Sequence, residues 1–208
     1  MNKFSIILIL IITLVHISFA LADNESKDSN MNNSKFEKAT FAGGCFWCMQ
    51  HPYDELKGVV STTVGYTGGH RDNPTYEEVC AGETGHAEAI EILYDPTQIN
   101  YSELLNVFWK NIDPTTLNKQ FTDIGTQYRT AVFYHSEKQK QSAESSKEEK
   151  ERSGIYDNPI VTEITPASTF YRAEDYHQKY YEKCPVRYKV YKSGSGREQY
   201  LENVWGTE

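Results

Sequence analysis

The chain has 208 residues, with 21 basic against 29 acidic side chains and a formal net charge of −8 at neutral pH. That length suits a leader plus one domain, and the acidic balance, with no basic stripe, excludes a nucleic-acid binder. The 15 Tyr and 9 Phe point to a packed core.

Lys3 supplies a positive start, residues 4–22 are apolar without formal charge, and Ala20-Leu21-Ala22 closes the run before Asp23. This pattern predicts a secretory signal peptide over residues 1–22, cut after Ala22, and a periplasmic or secreted protein. The alternative is a membrane anchor made by uncleaved residues 4–22, a run near the lower limit of roughly 17–25 residues for a spanning helix. Residues 23–34 are Asn, Ser, Asp and Lys without apolar periodicity and are expected to form a disordered linker. Residues 35–208 form the folded domain.

Within it, residues 35–42 alternate as a strand, Gly43-Gly44 breaks the pattern, and a helix is expected to open at Cys45, shortened or kinked by Pro52. Residues 59–66 are β-branched and read as a second strand; residues 88–94 alternate as a third, bounded by Asp95-Pro96. Asn100 and Glu103 form a capping box before a helix whose apolar face is Leu104, Leu105, Val107 and Phe108. A fourth strand covers residues 130–134, and Ser136 caps a long polar helix that ends near Gly154. A fifth strand is expected over 160–164 and a last helix over 173–183, with an irregular tail beyond. This order predicts an α+β fold: a two-layer sandwich with helices packed on a mixed, mainly antiparallel sheet.

All four cysteines, Cys45, Cys48, Cys80 and Cys184, lie in this domain. An even count in an exported protein suggests structural disulfides, but Cys45 and Cys48 are too close in sequence to restrain much chain. A C-x-x-C pair is more often redox-active or metal-binding. A cysteine at a helix N-terminus meets the positive end of the dipole and free N–H groups, which favour the thiolate. Phe46 and Trp47 beside it offer an apolar wall suited to sulfur and methyl contacts. Asn73-Pro74-Thr75-Tyr76 is a turn that would set Tyr76 rigidly. Glu88 enters an apolar strand, where desolvation would let it hold a proton and act as a general acid; read alone, a solvated surface position is the plainer expectation. His86 with Glu88 is a weak metal pair, since no further ligands stand at suitable spacing. Asp123 to Arg129 is a polar turn before a strand. Together these residues supply a thiolate, an acid, two phenols and an apolar wall, which is what a sulfoxide needs: a soft nucleophile for its sulfur, a proton for its oxygen and a cage for its methyl group.

Six stretches carry a resemblance to the peptide methionine sulfoxide reductase A family: Gly44-Cys45-Phe46-Trp47, Gly65-Tyr66-Thr67-Gly68-Gly69, Asn73-Pro74-Thr75-Tyr76, Gly85-His86-Ala87-Glu88, Gly125-Thr126-Gln127-Tyr128-Arg129 and Ala173-Glu174-Asp175-Tyr176-His177-Gln178. The resemblance implies reduction of methionine-S-sulfoxide, free or in proteins, through a sulfenic acid on Cys45 and then an intramolecular disulfide. It gives Glu88 the role of proton donor, Tyr76 and Tyr128 that of holding the sulfoxide oxygen, Phe46 and Trp47 that of enclosing the methyl group, and Asp123 that of ordering the pocket. It also implies a thioredoxin-like reductant. No metal, flavin or nucleotide motif is visible, so no bound cofactor is expected, and the protein is expected to act as a monomer. Many members of that family carry the resolving cysteine in a Gly-rich tail, but Ser193-Gly194-Ser195-Gly196-Arg197 has none. Cys48, one helical turn from Cys45, is the first candidate to resolve the sulfenic acid, and Cys184 the second; Cys80 is expected to be a buried bystander. Two rival readings remain: a thioredoxin-like dithiol oxidoreductase, and a binding domain stapled by two disulfides.

Overall fold

A computed structural model of the chain describes residues 35–206; the expected leader and the expected linker lie outside them. Alternation decides the sheet. In β1 (Glu37–Gly43) Ala39 and Phe41 face one way, and in β3 (Ala87–Tyr94) Ile90, Ile92 and Tyr94 face the same way. Against that face pack α1 (Phe46–Asp54), α3 (Tyr101–Trp109) and α4 (Glu137–Ser153), through Met49, Tyr53, Leu104, Leu105, Phe108 and Ala143. The opposite face is smaller, with Ala42, Ala87, Ala89, Ala131 and Phe133 packed under Ala167 and Phe170.

The six-stranded sheet has the order β7-β6-β1-β3-β2-β8, with β2 at Val59–Thr67, β6 at Thr130–Tyr134, β7 at Glu163–Pro166 and β8 at Tyr171–Arg172. Its pairings are antiparallel except for β6 with β7. The separate hairpin of β4 (Lys119–Gln120) and β5 (Asp123–Ile124) lies outside this sheet. This is the α+β arrangement with a mixed, mainly antiparallel sheet that the sequence predicts.

The local signals act as expected at several helix ends. Asn100 accepts from Glu103 N–H while Glu103 accepts from Asn100 N–H, and Ser136 accepts from Gln139 N–H. Gly154 ends α4 in the left-handed region. A second capping box, Thr75 with Glu78, opens the short α2 (Tyr76–Cys80).

Three expectations need correction. The fifth strand runs over Glu163–Pro166 rather than 160–164, because Val161 N–H is drawn to Pro114 O and Ile160 enters the core. The last helix does not span 173–183: only Tyr180–Lys183 is helical, as α5. Ala173 N–H donates to Val64 O, and the Gln178 amide accepts from Val64 N–H at 3.0 Å and donates to Val64 O at 2.9 Å, so a side chain pairs with the edge of β2 as a strand would. Third, the tail is not irregular. It forms α6 (Pro185–Gly194) and α7 (Arg197–Trp205), with Pro185 at the first turn of α6, where its missing N–H costs nothing.

Gln178→Leu leaves the buried Val64 N–H without an acceptor and Val64 O with Ala173 N–H alone. It is expected to destabilise the domain by roughly 2–3 kcal/mol, a fall in melting temperature of about 5–10 °C. Thermal denaturation followed by circular dichroism reads the change, and a shift of less than about one degree would show that the amide pairing contributes little.

Candidate active site

Gly44 stands at φ +77°, and a Cβ there would lie 2.5 Å from Gln120 Cβ, so only glycine lets this turn press against the β4–β5 hairpin. The turn brings Cys45 to the N-cap position of α1, with backbone φ −51° and ψ 117°. Its side chain makes no capping bond. The helix's first N–H, that of Phe46, donates instead to Glu88 Oε2 at 3.0 Å.

Glu88 lies on the same face of β3 as Ile90 and Ile92, which buries it by periodicity, at 2% exposure. Burial raises its carboxyl from the ordinary 4.5 to about 8; the Phe46 N–H pulls the other way, while nearby Asp123 and Cys48 add to the rise. The solvated surface position that Glu88 suggests when read alone is therefore not the one it occupies: it is a neutral acid at pH 7, the form that can donate a proton.

The Cys45 and Cys48 side chains act on each other's ionisation. Burial, followed by Cys48 and the Glu88 carboxyl, pushes the Cys45 thiol up. The Cys45 side chain brings Cys48 down to about 7, against its own burial, with help from the positive charges of Arg197 and Lys192. The two sulfurs thus hold one proton between them near neutrality. The expected dipole-stabilised Cys45 thiolate is corrected on this point: the helix's first donor serves Glu88, and the charge is shared through Cys48. The Tyr191 hydroxyl on α6 acts on Cys45 in the opposite sense, favouring its thiolate.

The predicted site residues fall around this centre. Burial raises the Tyr76 and Tyr128 phenols, and the charge of Glu88 acts on both. Tyr76 opens α2, and Tyr128 closes a short 3-10 turn (Thr126–Tyr128). The two phenols therefore stay protonated and can donate. Asp123 Oδ2 accepts from the Tyr191 hydroxyl and so fixes that phenol. Phe46 is buried beside Tyr66 and His177, with ring centroids 6.0 and 5.0 Å away. Trp47 stacks on Tyr180 at 3.9 Å.

Cys80 is half-buried rather than a buried bystander, and the Tyr76 side chain acts on its thiol. Cys184 stands at the N-cap of α6 and is half-buried. His86 is used structurally: Nδ1 accepts from Gly69 N–H and Nε2 pairs with Arg71 O. Among the described residues no cluster of three or more His, Cys, Asp or Glu could hold a metal ion. All four cysteines are free, which speaks against a domain stapled by two disulfides.

Several residues of the site escape the sequence reading. His177 Nδ1 accepts from Trp47 Nε1 at 3.0 Å and so fixes the indole. Glu174 accepts from Tyr76 N–H at 3.0 Å and from the Tyr66 hydroxyl at 2.8 Å, fastening α2 to β2. Both belong to the stretch 173–178, whose motif is visible but whose helical reading hides these roles. Tyr191 and Arg197 come from the tail and have no local signal.

A sulfur pair, a buried neutral acid, two donor phenols and an aromatic wall define a thiol-dependent oxidoreductase. The model of the peptide methionine sulfoxide reductase family matches residues 37–208. A peptide methionine sulfoxide reductase, MsrA, of Bacillus licheniformis is 55% identical over 172 residues, covering 83% of this chain and 95% of that protein. Mxr1 of Saccharomyces cerevisiae in reduced form superposes with a TM-score of 0.69 at 38% identity, covering 74% of this chain and 88% of that one. Mxr1 in complex with Trx2 superposes at 0.52 with 28% identity, covering 72% and 87%. The chain belongs to the peptide methionine sulfoxide reductase family, and with it to the oxidoreductases acting on methionine sulfoxide.

Replacing the acid tests its burial. The wild-type carboxyl keeps its proton up to about pH 8 when folded and releases it near 4.5 when unfolded, so stability falls as pH rises between these values and is flat above them. Glu88→Gln removes that slope. Its melting temperature is expected to exceed that of wild type by a margin that grows with pH, reaching about 5–10 °C at pH 8.5. A margin that does not change with pH would place the carboxyl in water.

Proposed function

We propose that the chain reduces the S epimer of methionine sulfoxide, free and within oxidised proteins, by the chemistry of Cys45, Glu88 and Cys48. The observation that carries this reading is the neutral carboxyl of Glu88, buried under the first turn of α1 beside the Cys45–Cys48 pair. The methyl group of the substrate rests against Phe46 and Trp47. The sulfoxide oxygen is received by Glu88, Tyr76 and Tyr128. Cys45 passes its shared proton to Cys48 and attacks the substrate sulfur. Glu88 gives a proton to the departing oxygen, which leaves on Cys45 as a sulfenic acid while methionine is released. Cys48 then attacks the Cys45 sulfur: an S–S bond forms, an S–O bond breaks, and water departs.

Cys48 is preferred to Cys184 because it stands in the first turn of the helix that Cys45 opens and interacts with the Cys45 thiol, and the N-cap backbone of Cys45 leaves the sulfur free of the helix. A thioredoxin-like protein reopens the disulfide; the complex of yeast Mxr1 with Trx2 supports this partner. The leader pattern of residues 1–22 supports an exported enzyme, and N-terminal sequencing of the mature protein is expected to begin at Asp23; a start at Met1 would favour the anchored form.

The first experiment supplies the separate R and S epimers with dithiothreitol. Turnover of the S epimer alone, abolished in Cys45→Ser, is expected; reduction of neither epimer by folded protein would overturn the reading. Glu88→Gln is expected to lower kcat about 10²-fold or more. Tyr76→Phe should cost less, because Tyr128 remains, and equal losses would refute that order. The wild-type rate should rise through the ionisation of the cysteine pair near 7 and fall as Glu88 loses its proton near 8; the falling limb should vanish in Glu88→Gln. Mass spectrometry after one turnover is expected to find Cys45 joined to Cys48.

A further inference from the structure

Arg197 is a buried charge that the reaction so far leaves without a task. It stands at the start of α7 and is 1% exposed. Its Nη2 donates to Gly43 O at 2.9 Å, Nη1 donates to Asn111 O, and Nη1 lies 3.8 Å from Met49 Sδ. The guanidinium also covers the ring of Phe121, 4.7 Å from its centroid. Among the described residues no carboxylate lies within ion-pair distance of it. Burying such a cation costs several kcal/mol unless opposite charge or strong hydrogen bonds compensate. Two carbonyls supply part of that compensation, but no fixed anion does.

The contacts of Arg197 bracket the redox pair. Gly43 precedes the Gly44-Cys45 turn, and Met49 follows Cys48 in α1. Six other groups bear on the charge of Cys48 or lie around it. Cys45 shares its proton, and Glu88 reaches across from β3. Asp123 comes from the hairpin, Tyr188 and Lys192 from α6. Lys192 is the other cation, and it reaches toward Glu198. The effect of Arg197 is felt by Cys48 and Asp123, both toward the anion.

We propose that Arg197 is the fixed counter-charge of the Cys45–Cys48 pair, a positioning residue that stabilises the Cys48 thiolate attacking the Cys45 sulfenic acid. This rests on Cys48 being the resolving thiol. In that step the Cys48 thiolate displaces oxygen from Cys45. The S–S bond forms as the S–O bond breaks, and the departing hydroxide takes a proton from solvent to leave as water. In this step Cys48 is oxidised and the Cys45 sulfur is partly reduced; over the whole turnover the two thiols supply the two electrons that reduce the sulfoxide sulfur. The cation matters because Cys48, protonated while Cys45 attacks the sulfoxide, must give up that proton before it attacks in turn. By then Cys45 is oxidised and no longer stabilises the charge on Cys48, which needs another group to do so.

The test separates the two halves of one turnover in the whole protein. Reduced enzyme is mixed with one equivalent of a methionine-S-sulfoxide peptide and quenched over time. Methionine formed reports the first step, which costs one titratable thiol, and loss of a second thiol reports the second. Arg197→Gln is expected to slow the second step relative to the first by about tenfold at pH 7. It should also raise the pH midpoint of the second step by about one unit, so that alkaline pH restores the rate. Arg197→Lys, which keeps the charge, should hold the midpoint near that of wild type even if the loss of the forked hydrogen bonds lowers stability.

Equal slowing of both steps, or an unmoved midpoint in Arg197→Gln with a Cys45–Cys48 disulfide mapped, would overturn the role of Arg197 alone. A Cys45–Cys184 disulfide would overturn the assignment of Cys48 and this inference with it. If Arg197→Gln does not fold, Arg197→Lys decides: a midpoint that stays while stability drops supports the counter-charge, and a midpoint that moves with it refutes it.

Discussion

The hydrogen bond from Phe46 N–H to the buried carboxyl of Glu88 is the constraint on which the rest of the site depends. It ties the first turn of α1 to the middle strand of the sheet, and so fixes where Cys45 stands relative to the acid. A single backbone donor is too weak to hold the carboxyl ionised against full burial, so the acid stays neutral while remaining oriented. The same contact uses the helix end that a lone cysteine would otherwise exploit. The nucleophile is left to obtain its ionisation from a second sulfur, a phenol and, through that sulfur, a distant cation.

The dipole of a helix N-terminus is therefore an incomplete account of the ionisation of Cys45. A helix N-terminus does stand at Cys45, as the Gly43-Gly44 break and the apolar spacing indicate. What the spacing cannot show is which acceptor the first N–H meets, because Glu88 is brought there by strand pairing across the sheet. The burial of Glu88, by contrast, was partly legible: Ile90, Ile92 and Tyr94 follow it at period two and share its face. The β-strands with clear alternation and the helices with capping boxes were legible for the same reason, since their signals are local.

The C-terminal third was less legible because its partners are distant in the chain. Residues 173–178 carry a helix-like composition, yet the peptide groups of Val64 capture Ala173 and Gln178 and hold the segment open as a sheet edge. Residues 185–205 have the Ser, Gly and Lys content of a loose tail and fold into two helices. Tyr191 and Arg197 find their partners at Asp123 and Gly43, which no window of neighbouring residues contains. The motif at 173–178 pointed to the right place without revealing that Glu174 and His177 are the groups that brace Tyr76 and Trp47.

The reach of Arg197 back to Gly43 spans 154 positions of sequence. On the ribosome, Cys45 and Cys48 emerge early, and the core strands and α1 can begin to pair long before α6 and α7 exist. During that interval the two sulfurs lack both the phenol of Tyr191 and the cation of Arg197. They enter their working electrostatic environment only when the final helices dock, a long-range contact of the kind that forms slowly. An unfinished chain is therefore also an unarmed one: the reactivity of its redox pair is switched on by completion of the fold.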